Sequence, residues 1–117
     1  MRVNQLPTLD NVTASRMLNG KTSRKIANNT TIRRENHGYV VRLHNTDIVT
    51  CHNNGDIHID TGGWNTTTTI SRIKHLCWAY LRNVSYAGGE CTITDYDGTT
   101  TTGDQQSHVD HGWSVNV

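Results

Sequence analysis

Four runs of β-branched and alternating residues, crowded between Thr30 and Asp60, constrain the fold more than any other feature of this chain. "TTIRR" (Thr30–Arg34) is short and β-branched, and a turn at Glu35–Gly38 follows it. "YVVRLH" (Tyr39–His44) then places Tyr39, Val41 and Leu43 on one side and Val40, Arg42 and His44 on the other, the period of a half-buried strand. "NTD" marks the next turn. "IVTCH" (Ile48–His52), "NNG" and "DIHID" (Asp56–Asp60) form a hairpin, because Asn54-Gly55 supplies the positive φ that a tight turn needs. A meander of this kind buries one face against another element.

The covering element begins at Thr67. Ile70, Ile73, Leu76, Cys77, Tyr80 and Leu81 recur at three- and four-residue spacing, which predicts a helix ending near Arg82. Its opposite side carries Arg72, His75 and Arg82, with Trp78 at the border. A shorter helix, Asn11–Leu18, is predicted from Asp10 as N-cap, a weak apolar side of Val12, Met17 and Leu18, and a stop at Asn19-Gly20. "GKTSRKIANN" between helix and meander is basic and polar, the composition of a connector. After Asn83, "ECTITDY" and "WSVNV" alternate as strands, and residues 97–108 have the composition of a polar loop. The expected fold is α+β: a small antiparallel sheet of hairpins packed by one main amphipathic helix, with a short N-terminal helix. One domain, 1–117, would contain an N-terminal helix and connector (1–29), the sheet and main helix (30–82) and C-terminal strands (83–117).

Composition agrees with short strands and turns. Only 33% of the 117 residues are hydrophobic, Phe is absent, and three Trp and four Tyr must supply the aromatic packing. Eleven basic against ten acidic residues leave a net charge of +1, neither an acidic mimic of DNA nor a basic nucleic-acid coat. Cys51, Cys77 and Cys91 are odd in number and show no CxxC pair, which points to a reducing, intracellular setting. Neither a signal-peptide core nor a membrane-spanning run is visible, so no membrane association is expected. The low apolar content of so short a chain makes homo-oligomerisation an expectation.

The segment "DTGGWNTTTTISRI" supports two readings. Gly62 and Gly63 followed by Trp64, Thr66 and Thr67 can make a strand-to-helix joint, with Trp64 stapling the helix and a threonine capping it. The same backbone N–H groups, with Thr hydroxyls and Arg72 near the helix start, can hold a phosphate. The spacing is neither GxxxxGK[ST] nor GxGxxG. A candidate binding surface therefore comprises Gly62, Gly63, Trp64, Thr66, Thr67, Arg72, His75 and Arg82. In "RLHNTD", His44 and Asp47 are material for a general base or a metal-dependent nuclease or phosphodiesterase, or else simply a turn closed by Asp47. Neither a cofactor nor a metal site is expected: Cys51 and His52 point to opposite strand faces, Cys77 lies on the apolar stripe, and only His108 and His111 sit close together.

"GKTSRKIANNTTI", "VRLHNTDIVT" and "DTGGWNTTTTISRI" together resemble a family of small proteins encoded by tailed bacteriophages. The matching positions are Lys25, Asn28, Asn29, Thr30, Arg42, Leu43, His44, Thr46, Asp47, Val49, Thr50, Gly62, Gly63, Trp64, Thr66, Thr68 and Arg72. Thr69 departs from the pattern, and the tail beyond Arg82 matches loosely through "DYDG" and "GW". The resemblance implies a phage origin and a compact domain, and it brings no activity with it. No nucleophilic triad or carboxylate pair stands out, so the sequence points away from an enzyme. The function expected is a phage accessory protein acting by binding in the host cytoplasm, antagonising a host defence system of the CRISPR kind. Its target would be a host defence protein, a ribonucleoprotein, or a phosphorylated nucleotide or nucleic acid. The alternatives are the nuclease or phosphodiesterase using His44 and Asp47, and a virion or assembly component.

Overall fold

A computed structural model describes residues 6–60, 67–87, 90–95, 100–103 and 113–115. The chain opens with α1 (Asn11–Leu18), whose start is fixed by a capping box. The Thr13 N–H donates to Asp10 Oδ1 (2.7 Å), and the Asp10 N–H donates to Thr13 Oγ1 (3.0 Å). Asn19 ends the helix in the left-handed region, with φ 51°. Ala14, Met17 and Leu18 form the buried side; Val12, assigned to that side from the sequence, is 60% exposed.

Strands β1 (Ser23–Ala27), β2 (Thr30–Glu35), β3 (Gly38–Leu43), β4 (Thr46–His52) and β5 (Ile57–Ile59) follow as an antiparallel meander, and β9 (Trp113–Val115) pairs with β5 at the far edge. The basic "connector" is thus strand β1. Its residues have modest strand propensity, but antiparallel pairing of Ser23 with Arg33 and Lys25 with Thr31 extends the sheet by one strand. The turn after β3 is His44–Asn45, with Thr46 already in β4, so the turn falls one residue earlier than "NTD" suggests. β6 (Leu81–Ala87), β7 (Glu90–Asp95) and β8 (Thr100–Gly103) form a second antiparallel sheet. Four residues of the expected polar loop 97–108 are therefore strand, and its other residues lie outside those described.

The main helix, α2 (Thr67–Leu76), stops six residues short of Arg82. In a continuing helix the Leu76 carbonyl would take the Tyr80 N–H. Here it accepts from Leu9 N–H (2.7 Å), while the Cys77 carbonyl accepts from both Tyr80 and Leu81 N–H (2.9 Å each). The chain turns there and Arg82 sits on β6. Leu81 nonetheless remains buried beside Ile73, Leu76 and Cys77, which is why helical spacing persisted past the helix. One apolar cluster joins both helices and both sheets, from Leu9 and Met17 through Ile32, Val41, Val49 and Ile59 to Val84 and Ile93. The architecture is α+β.

Candidate functional site

Two turns and the start of α2 meet at one end of the large sheet. The first turn, Asn28–Asn29, has Asn29 at φ 54°; the second, His44–Asn45, has His44 at φ 53°. They are joined by His44 N–H donating to the Asn29 carbonyl (2.9 Å). Arg42 braces the second turn, its Nε donating to the His44 carbonyl (3.2 Å) and its Nη2 to the Asn45 carbonyl (3.3 Å). A non-glycine residue in the left-handed region is uncommon, and these contacts account for its persistence here.

Arg72 ties α2 to the same place. Its Nε donates to Thr30 Oγ1 (2.9 Å) and its Nη2 to the Asn28 carbonyl (3.1 Å), which also accepts from Thr30 Oγ1 (2.9 Å). Arg72 is only 8% exposed, so it lies on the sheet side of α2 and not on the outer face that the sequence suggested. Burial lowers its pKa from the ordinary arginine value. Two neutral oxygens accept from the guanidinium, and no carboxylate pairs with it among the described residues.

Beside this junction lies an open cleft of about 510 Å³. Leu43 and Ile48 form its apolar floor; His44, Asn45 and Thr46 line one wall, and Thr68 and Thr69 of the first turn of α2 line the other. Residues that lie apart in the sequence, His44–Thr46 and Thr68–Thr69, are therefore two walls of one feature. Thr67 is exposed at the first position of α2. Gly62, Gly63, Trp64 and Thr66 lie outside the described residues. His75 is half-buried in the last turn of α2, its Nδ1 2.8 Å from the Ser71 carbonyl. Arg82 is exposed on β6, away from the helix to which it was assigned. Sequence reasoning missed Leu43, Asn45 and Ile48 as lining residues, because strand periodicity marks the two apolar residues only as core.

Asp47 is held elsewhere. Arg33 grips its carboxylate with two hydrogen bonds (2.8 and 2.9 Å) and reaches Glu35 Oε1 through Nε (2.6 Å). That grip pulls Asp47 below the usual carboxylate range and raises Arg33. No hydrogen bond links His44 to Asp47 among the described residues, and no group of three or more His, Cys, Asp and Glu there could hold a metal ion. Cys51 and Cys77 are free and buried, and burial pushes the Cys77 thiol well up. His108 and His111 lie outside the described residues. No helix among the described residues is long and apolar enough to cross a membrane.

A two-sheet α+β protein with an open, mixed apolar and polar cleft is the class that these features define. Residues 10–114 match the profile of the Kyanoviridae Gp96 protein family, a family of phage proteins, and the chain belongs to it. No curated protein and no solved structure gives a match.

Proposed function

We propose that this phage protein acts by binding, as an accessory factor in the host cytoplasm that antagonises a host defence component, and that the cleft is its contact surface. Convergence carries the reading: two separate chain segments meet over the apolar floor of Leu43 and Ile48 and present His44, Asn45, Thr46 and Thr68 around it. The volume falls within the range of about 300–1,000 Å³ of small-ligand sites, which pair apolar walls with a few placed polar groups. The ligand chemistry that suits it is an acceptor-rich, phosphate-like group beside an apolar portion. A nucleotide provides this, as does the exposed backbone of a ribonucleoprotein.

Affinity capture from infected cells, with small molecules and nucleic acid retained, tests the proposal. The control is a double variant, His44→Asn with Thr68→Ala. Asn tolerates the left-handed backbone, and Thr68 is exposed, so the fold is spared. Recovery of a partner by the native chain that falls about tenfold in the variant is expected, the loss of roughly one good polar anchor. Equal recovery by both would remove the cleft from the function. Abundant protein in purified particles would mark a virion component instead.

A further inference from the structure

At one end of the strand order lies an edge with unused backbone groups, and its surroundings are strongly cationic. Among the described residues β1 pairs with β2 alone. Because Arg34 N–H donates to the Thr22 carbonyl (2.9 Å), Thr22 and Arg24 turn their backbone groups toward β2. The alternation then turns those of Ser23 and Lys25 outward, where no backbone partner meets them among the described residues. Residues 11–34 carry six cations (Arg16, Lys21, Arg24, Lys25, Arg33, Arg34) and no Asp or Glu. Arg16, Lys21, Arg24 and Lys25 make no ion pair among the described residues; Arg24 donates through Nη1 to the Met17 carbonyl (3.1 Å), which fixes it over the end of α1. Between α1 and this edge runs a groove of about 440 Å³. Pro7, Met17 and Ile26 supply its apolar lining, and Arg16, Arg24 and Lys25 its charge.

We infer that the β1 edge is a docking site for an extended acidic segment of a partner protein, which adds to the sheet as a further strand. Strand addition takes affinity from main-chain hydrogen bonds and specificity from alternate side chains. Here the outward N–H and C=O groups of Ser23 and Lys25 offer the former. The groove takes apolar side chains from one face of the added strand, and the cations select carboxylates flanking them. The same cations bar a second copy's β1, because like charges would face each other across the new pair. Among the described residues the groove offers no aromatic side chain on which a base could stack, which favours a polypeptide over single-stranded nucleic acid. This surface shares no lining residue with the cleft proposed above, and the inference stands apart from that reading.

The test uses the full chain and a fluorescent synthetic peptide of alternating Glu and Val, with a Lys and Val peptide and a short single-stranded DNA as comparators. The Glu and Val peptide binds, more weakly at high salt, and slows hydrogen exchange at the Ser23 and Lys25 amides. Arg16→Glu with Lys25→Glu lowers its affinity by about tenfold. Lys25→Pro, which removes an outward N–H and leaves the β1–β2 ladder intact, lowers it similarly while keeping every charge but one. Exchange in the native chain needs no variant and so survives any that fails to fold. Equal binding of the Lys and Val peptide, preference for the DNA, or peptide binding without protection of those two amides would each overturn the inference. So would protection that rises with protein concentration alone, which would assign the edge to a second copy of this chain.

Discussion

A buried arginine with no carboxylate partner among the described residues is an expensive residue, and Arg72 is tolerated because two neutral acceptors share the cost. Its Nε and Nη2 bond Thr30 Oγ1 and the Asn28 carbonyl, and Thr30 bonds that carbonyl in turn. Arg72→Met should lower unfolding free energy by about 2 kcal/mol, since it strands the wholly buried Thr30 hydroxyl and the Asn28 carbonyl with one bond fewer. Arg72→Lys, with no planar fork, should recover only part of that. Urea denaturation of the two variants measures both, and an unchanged midpoint for Arg72→Met would refute the structural role. Asp47 behaves in the opposite way. It is gripped by Arg33 but nearly half-exposed, so solvent screening limits the pair to about 0.5 kcal/mol. Because its folded pKa is depressed, its contribution is present above the unfolded carboxylate value of about 3.9 and is lost as pH falls through the lower folded value. Asp47→Asn should therefore make the loss of stability below about pH 4 less steep, which acid titration of the unfolding midpoint would record.

At the scale of elements, the close approach of β3 to β4 depends on Gly38. Its φ is 154°, and a Cβ there would collide with the Cys51 carbonyl and the His52 Cα, both backbone atoms that cannot swing aside. Gly38→Ala should cost about 2–4 kcal/mol through strain in that hairpin, read by chemical denaturation. The meander itself was legible in the sequence: alternation at Tyr39–Leu43 and the Asn54-Gly55 turn mark β3, β4 and β5 to within two residues at each end. Asp10 and Asn19 likewise marked both ends of α1. What stayed hidden depends on contacts distant in sequence. β1 is a strand because β2 lies beside it, and α2 ends at Leu76 because Leu9 takes that carbonyl. The cleft was half legible. His44 and Thr46 on one hand and Thr68 and Thr69 on the other are separate in the sequence, and only the packing of α2 against the sheet brings them face to face. Arg72 followed the polar helical period and was assigned outward; its long side chain instead reaches inward to a turn more than forty residues away in sequence.

Across the whole molecule, the N-terminal segment is clasped to the region where α2 gives way to β6. Leu9 is the clasp: its N–H donates to the Leu76 carbonyl (2.7 Å), and its carbonyl accepts the Tyr80 hydroxyl (2.8 Å) across a sequence separation of 71 residues. Burial first, and then the Asp10 carboxylate, pushes the Tyr80 hydroxyl up to about 12. Its neutral form is the one that donates to Leu9. Below the ordinary tyrosine value of about 10, folded and unfolded chains are both protonated, and the clasp contributes in full. As pH rises from about 10 toward 12, the unfolded chain releases the proton first, so stability declines through that window. Cys77 adds to the decline from about pH 8.5 upward, because its buried thiol also resists ionisation. Tyr80→Phe should therefore cost about 1 kcal/mol at pH 7, the loss of one partly buried hydrogen bond, and should flatten the alkaline decline above pH 10 while leaving the Cys77 part in place. Unfolding midpoints from pH 7 to pH 11.5 for both chains would show this as two curves separated at neutral pH and converging at the alkaline end. Parallel curves would place the alkaline loss elsewhere and break the link between Tyr80 and the clasp.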